Sequence, residues 1–241
     1  MSIKLKVFFG LLLVILLAVS WSSFRIYQEI DKRWNEDPLV WEDDIAALEA
    51  KTKAGAVPEN AIVFVGSSSI RLWDSLVKDM SPIPVIQQGF GGAKLNDLVH
   101  YAERLVNVYK PAGVVVFAGS NDITPGDVKP PEQLLNSYQQ FVDKVRADQP
   151  ELPIYYIAIT PSPRRWEIWP SAQAVNALIE DYSERTPGLF YIDTGPAFLD
   201  AQGKPDNDYY MFDKLHLSDE GYRLWTSIIR PQLLKDYSQN H

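Results

Sequence analysis

Asp213 and His216, three residues apart in "DKLHLSDEGY", put a carboxylate and an imidazole on one loop just ahead of a helix start. A serine hydrolase needs this pairing, because the imidazole takes the hydroxyl proton while the carboxylate fixes its tautomer and steadies the imidazolium. Candidate hydroxyls stand in "VFVGSSSIRLW", where Ser67, Ser68 and Ser69 follow one glycine at the end of an apolar run. Ser67 or Ser68 there can cap the next helix by satisfying its free amides. The same turn projects a hydroxyl into a crevice beside amides able to hold an oxyanion. Position 70 is Ile, so the stretch is not the G-x-S-x-G elbow. Two more loops, "GFGG" at 89–92 and "GSND" at 119–122, read as tight turns on their own. Yet a backbone amide beside a glycine and an asparagine side-chain amide are the donors acyl transfer requires. "GFGG" does not extend to the dinucleotide spacing G-x-G-x-x-G, since position 94 is Lys.

Composition removes other chemistries. The chain has 241 residues and no cysteine, which excludes disulfides, thiol nucleophiles, iron–sulfur clusters, thiolate zinc sites and lipid attachment through an N-terminal cysteine. The only histidines are His100, His216 and His241, too few for a histidine-rich metal centre. A net charge of −8 opposes an electrostatic grip on nucleic acid. No metal or organic cofactor is implied. His100 sits in an amphipathic stretch and reads as structural, as do Arg71 and Trp73 after the serines.

The elements that must position these loops follow a regular alternation. "AIVFVG", "IPVIQQG", "AGVVVFAG", "PIYYIAI" and "GLFYID" read as five apolar strands. Between them "SSIRLWDSL", "KLNDLVHYAERLVNV", "PEQLLNSYQQFVDKVRADQ" and "SAQAVNALIEDYSER" have helical character, with Pro131 near one helix start. "SDEGYRLWTSIIRPQLLKDY" closes the chain as a helix capped by Ser218, which Pro231 should kink or divide. Strands buried on both faces and alternating with helices predict a doubly wound, mostly parallel five-stranded α/β sheet, a flavodoxin-like three-layer sandwich. Sites in such sheets gather past the C-terminal strand ends. The loops at 66–69, 89–92, 119–122 and 160–170 all fall there.

Taken in order, four segments resemble the SGNH hydrolases, the GDSL esterase/lipase superfamily, over about residues 60 to 236. Gly66-Ser67-Ser68 stands for the family's G-D-S, "QQGFGG" for its glycine block, "GSND" for its asparagine block and "DKLHLSDEGY" for its D-x-x-H pair. The resemblance implies that Ser68 is the nucleophile, His216 the base and Asp213 its orienting carboxylate. It also implies an oxyanion hole made by the backbone amides of Ser68 and Gly92 and the side chain of Asn121. Two departures stand out: Ser67 replaces the family Asp, and Gln87-Gln88 replaces Asn-Arg. The implied reaction is hydrolysis of carboxylic esters, with short acyl or O-acetyl groups favoured because no long apolar lid segment is evident. Two alternatives are an acyltransferase acting on glycans and a non-catalytic carbohydrate-binding module of the same fold. In "SPRRWEIWP", Trp166 and Trp169 can stack on a sugar and Arg164 or Arg165 can meet an anion, or all four can pack on the surface.

The first residues stand apart from this fold. Lys4 and Lys6 precede an uncharged run reaching Phe24, about 18 residues, the lower limit for spanning hydrocarbon. Residues 1–24 read as a signal anchor, or as a signal peptide with Ala18 and Ser20 at its cleavage region. Either reading places the remainder outside the cytoplasm, membrane-anchored or secreted. Residues 25–59 read as a leader with one amphipathic helix, with Leu39, Ile45 and Leu48 on a common face and Gly55 as the stop, ahead of a catalytic domain over 60–238.

Overall fold

The computed structural model describes residues 35–240 together with Ser20, Lys32 and Trp34. The anchor or signal expected over 1–24 therefore lies, apart from Ser20, outside the described residues. Among the described residues no helix is long and apolar enough to cross a membrane. The chain divides into two units, Met1–Trp41 and Glu42–His241. In the first, Pro38–Trp41 forms a 3-10 turn whose Leu39 amide donates to Asp37 Oδ1. Leu39 is exposed, so it does not share a buried face with Ile45 as the periodicity suggests. Instead the α-helix begins only at Glu42, where the carboxylates of Glu42, Asp43 and Asp44 suit the positive end of the helix dipole.

The second unit opens with that helix, α1 (Glu42–Ala54). There follow β1 (Ile62–Gly66), the short helices α2 (Ser68–Arg71) and α3 (Leu76–Asp79), β2 (Val85–Gly89) and α4 (Leu95–Leu105). Next come β3 (Gly113–Phe117), a small ribbon of β4 (Ile123–Thr124) and β5 (Asp127–Val128), α5 (Pro131–Val145) and β6 (Ile154–Ile157). The chain ends with α6 (Trp169–Arg185), β7 (Leu189–Ile192) and α7 (Asp219–Asn240). Five strands form one parallel sheet in the order β2-β1-β3-β6-β7. This is the α/β sheet expected from the alternation.

Alternation along each strand divides the core. Ile62 and Phe64 of β1, Val115 and Phe117 of β3, and Tyr155 and Ile157 of β6 share a face with Trp73, Trp225, Ile229 and Leu233. Rings carry much of that packing: Trp73 stacks on Tyr222 with centroids 5.4 Å apart, and Phe117 meets Trp225 edge-on at 4.8 Å. The opposite face takes α4, α5 and α6, where Tyr138 of α5 meets Tyr156 of β6 at 5.0 Å. Helix α1 docks on α4 through Arg104, which pairs with Glu49 at 2.6 Å and Glu42 at 2.8 Å.

Three local expectations are corrected. "SSIRLWDSL" is two single turns rather than one helix, because Trp73 drops into the core between them and its indole N–H donates to Asp79 Oδ2 at 2.7 Å. β7 is an edge strand with Phe190 partly exposed, so it is not buried on both faces. Pro231 does not divide the last helix, which continues to Asn240. Buried Ile229 and Leu233 hold both halves on the core, and the Arg230 guanidinium donates to Ser81 O.

Candidate active site

The strand order reverses between β1 and β3, whose crossovers leave on opposite sides and open a crevice at their C-terminal ends. Both strands end in loops with candidate groups. β1 ends at Gly66 with φ of 150°, and a Cβ there would stand 2.1 Å from Phe117 O. Only glycine lets the chain pass this close to β3 and turn into α2. Ser67 then donates its amide to Phe117 O at 2.9 Å. It occupies the N-cap of α2 but its side chain makes no cap bond, so the capping role expected of Ser67 or Ser68 is not used. Ser68 begins the helix, and no acceptor for its backbone amide is found among the described residues.

Helix α2 is held from outside. Gln87 Nε2 donates to Ile70 O at 2.7 Å and to Trp73 O at 3.1 Å, and the Tyr222 hydroxyl donates to Ser69 O at 2.9 Å. A single-turn helix cannot hold itself, so these bonds from β2 and α7 set where Ser68 sits. A polar residue inside the apolar run of β2 is the sequence signal for Gln87; Tyr222 left none.

The imidazole arrives from the loop before α7. Lys214 at φ 58° bends that loop, with its amide donating to Met211 O at 2.9 Å and the Met211 amide donating to His216 O at 2.8 Å. Asp213 Oδ1 accepts the amides of Leu215 and His216, each at 3.0 Å. Its Oδ2 lies 2.5 Å from His216 Nδ1, and His216 Nε2 lies 3.0 Å from Ser68 Oγ. Burial works against the charge of Asp213, but the bonds from the His216 ring and from the His216 and Leu215 amides outweigh it and hold its carboxyl below the usual value. Ser218 caps α7, its Oγ accepting the Gly221 amide at 3.2 Å, which anchors the loop at its far end.

Asn121 follows β3. Its Nδ2 donates to Ala93 O at 3.1 Å and its Oδ1 accepts from Arg165 Nη2 at 3.0 Å. Asp122 beside it is buried, and Oδ2 accepts the Leu95 amide at 3.0 Å at the start of α4. Burial pushes this carboxyl up to about 6, against the pull of Lys129 and the Leu95 amide. These two contacts join the loop after β3 to the loop after β2. Gly92 lies in that second loop at φ 81°, a left-handed backbone that favours glycine, and among the described residues its amide has no acceptor.

Ser68, Asn121 and His216 line one cavity of about 50 Å³, closed mainly by Phe117, Ile159, Ile168 and Trp169. Gly92 is not among its lining residues, although its neighbour Ala93 is bonded to Asn121. The expected substrate contacts separate. Trp169 and Arg165 line the cavity; Trp166 lies behind, stacked on Trp169 at 6.2 Å with Lys204 Nζ 4.7 Å from its ring centre. Arg164 is exposed and outside the cavity, its backbone amide donating to Lys214 O at 2.9 Å. His100 is exposed on α4, away from the cavity lining. Among the described residues no group of three or more His, Asp or Glu could hold a metal ion. A hydroxyl, an imidazole and a carboxylate in line, beside unbonded amides and an apolar recess, form an arrangement able to perform acyl transfer.

Known proteins share this architecture. A GDSL-like lipase from Bacteroides thetaiotaomicron superposes with a TM-score of 0.67 at 20% identity, over 80% of this chain and 98% of that one. A carbohydrate esterase family 3 protein from Talaromyces cellulolyticus gives 0.58 at 18% identity, over 74% and 99%. An acetyl xylan esterase from Geobacillus stearothermophilus gives 0.51 at 17% identity, over 70% and 92%. Among curated proteins, no sequence match is found. The model of the GDSL-like lipase/acylhydrolase family matches residues 58–224, a span that includes every residue lining the cavity. On that match the chain belongs to the GDSL-like lipase/acylhydrolase family of ester-bond hydrolases.

Proposed function

We propose that the chain is a serine esterase that removes short acyl or O-acetyl groups through an acyl-enzyme on Ser68. The observation that carries this reading is the relay from Asp213 Oδ2 to His216 Nδ1 at 2.5 Å and from His216 Nε2 to Ser68 Oγ at 3.0 Å. His216 accepts the Ser68 proton as Oγ attacks the ester carbonyl, while Asp213 keeps the Nδ1 proton in place. The oxyanion is held by the Ser68 and Gly92 amides and by Asn121 Nδ2–H. His216 returns its proton to the leaving alcohol, and a water molecule repeats the sequence on the acyl-enzyme. The recess beside Ser68, about 50 Å³ in volume, supports a short acyl group. Trp169 on the wall suits a flat apolar contact with the alcohol part, a sugar ring among the candidates. The basic start and apolar run of residues 4–24 support placement outside the cytoplasm, at or near a membrane.

The test is hydrolysis of p-nitrophenyl acetate by the full chain and by Ser68→Ala. A loss of at least about 10³ in kcat is expected, with only the small catalysis left by binding and the oxyanion hole. Equal rates would end the proposal. Product analysis with an added glycan acceptor separates hydrolysis from acyl transfer.

A further inference from the structure

We propose that Arg165 is the positioning residue of the oxyanion hole: its guanidinium fixes which way the Asn121 carboxamide faces. This rests on the reading of Asn121 as an oxyanion donor.

A carboxamide offers one acceptor oxygen and two N–H donors, and it can present either end. Around Asn121 the partners are one-sided. The guanidinium can only donate, and it lies 3.0 Å from Oδ1. The Ala93 carbonyl can only accept, and it lies 3.1 Å from Nδ2. Turning the amide over would set donor against donor at Arg165 and acceptor against acceptor at Ala93. One Nδ2 hydrogen is taken by Ala93, and the second is left for the cavity that Asn121 shares with Ser68. Without Arg165 only the Ala93 carbonyl opposes the turn, because water can donate to an oxygen or accept from an NH2 at the other end.

Arg165 also grips the backbone behind the amide. Nη1 donates to Ser120 O at 2.5 Å, so one guanidinium bridges the residue before Asn121 and the Asn121 side chain. A planar fork with several N–H groups suits two oxygens at once, and a lysine ammonium is a poorer substitute. The guanidinium further polarises the amide to which it donates, which strengthens the free N–H as a donor. The local chain brings this about. Arg165 interrupts the 3-10 turn Pro163–Ile168 at φ −115° and ψ 20°, so it departs from the path of exposed Arg164. The Arg164 amide meanwhile bonds to Lys214 O between Asp213 and His216. Consecutive residues of one turn therefore touch the loop of the base and the loop of the oxyanion donor.

The alternative is that Arg165 binds an anionic group on the substrate. Kinetics of p-nitrophenyl acetate, which has no anionic group, separate the two. For Arg165→Ala in the full chain, kcat should fall about 10- to 100-fold with KM changed less than about threefold. That loss is smaller than the 10²–10³ for deleting a donor, because a released amide still faces correctly part of the time. In an Asn121→Ala background the same substitution should change kcat less than about threefold, since there is no amide left to orient. Guanidinium ion at millimolar concentration should recover part of the rate of Arg165→Ala and none of the rate of the double variant. If Arg165→Ala does not fold, Arg165→Lys carries the same comparison, with a smaller loss that again vanishes in the Asn121→Ala background. Additive losses, or a raised KM at unchanged kcat, would overturn the proposal. Asn121→Ala at wild-type rate would instead remove the oxyanion reading on which it stands.

Discussion

Asp213→Asn is the sharpest perturbation of the relay, because it changes one heavy atom and keeps the shape. In the native loop Oδ1 accepts two backbone amides and Oδ2 accepts the Nδ1 proton. An asparagine must choose. If its oxygen stays with the Leu215 and His216 amides, its NH2 faces Nδ1, which must then be the unprotonated nitrogen. The imidazole proton moves to Nε2, 3.0 Å from Ser68 Oγ, and the base can no longer accept the serine proton. If the amide turns over, Nδ1 keeps its proton, but two backbone donors lose their acceptor and face an NH2 group. Each stranded donor costs about 1–3 kcal/mol. At the low end, fitting a half-buried loop, the two together disfavour the competent orientation by about 2 kcal/mol, or roughly 30-fold at 1.4 kcal/mol per decade. At the high end the competent form is negligible and the loss approaches the roughly 10⁴ expected of a base held in the wrong tautomer. The expected kcat for p-nitrophenyl acetate is thus lower by about 30- to 10⁴-fold, with KM little changed. Steady-state rates and the speed of fluorophosphonate labelling of Ser68 should fall together. A loss smaller than tenfold would mean that Asp213 does not set the tautomer of His216, and the relay would have to be abandoned.

Two further outcomes concern stability. The Asp122 carboxyl, pushed up to about 6 and faced by Lys129, Lys94, Asp97 and the Leu95 amide, keeps its proton in the folded chain over a range where the unfolded chain, near 3.9, has released it. The folded state then binds more protons, so its stability declines as pH rises from about 4 to about 6, by an amount on the order of 3 kcal/mol. Asp122→Asn should flatten that decline; denaturant midpoints at pH 4.5 and 7 that shift equally in both proteins would contradict it. Gly66→Ala sets a Cβ 2.1 Å from Phe117 O at φ 150°, so it should cost about 3 kcal/mol or more and lower the melting temperature by about 6–12 °C. An unchanged melt would show that the junction of β1 and β3 is looser than its geometry.

The strands were legible in the sequence for a simple reason, while the grouping of Ser68, Asp213 and His216 came from the family resemblance of four short blocks taken in order. Runs such as "IVFVG" and "GVVVF" are apolar at every position because both faces of a parallel sheet are covered, and the loops that break them hold the reactive types. Edge strand β7 is where that logic weakens, since Phe190 is apolar yet partly exposed, and stacks on Tyr155 at 4.7 Å instead of meeting a covering layer. Arg164 and Arg165 show a limit of a different kind. Identical side chains stand side by side, and only the kink at Arg165 decides which one turns inward. That kink depends on contacts with loops 40 or more positions away, at Ser120 and Lys214. Pro231 was misleading because local propensity favours a break there, while Ile229 and Leu233 on either side are buried.

The 3.0 Å contact between Ser68 Oγ and His216 Nε2 spans 148 positions of sequence, so it cannot be set by either loop alone. It is set by what lies between them in space. Trp73, just after α2, stacks on Tyr222, which follows the Asp213–His216 loop at the start of α7. Tyr222 also donates to Ser69 O, and Trp225 one turn on packs against Phe117 at the end of β3. The same aromatic group thus joins the chain after α2, the start of α7 and the end of β3. Rings of this size resist sliding because each contact is a close fit rather than a single bond. A relay bond of 3.0 Å tolerates only a few tenths of an ångström, and this packed core supplies such a tolerance together with the Gln87 and Tyr222 bonds that hold α2. Ser68 is the half-buried end of an otherwise buried cluster.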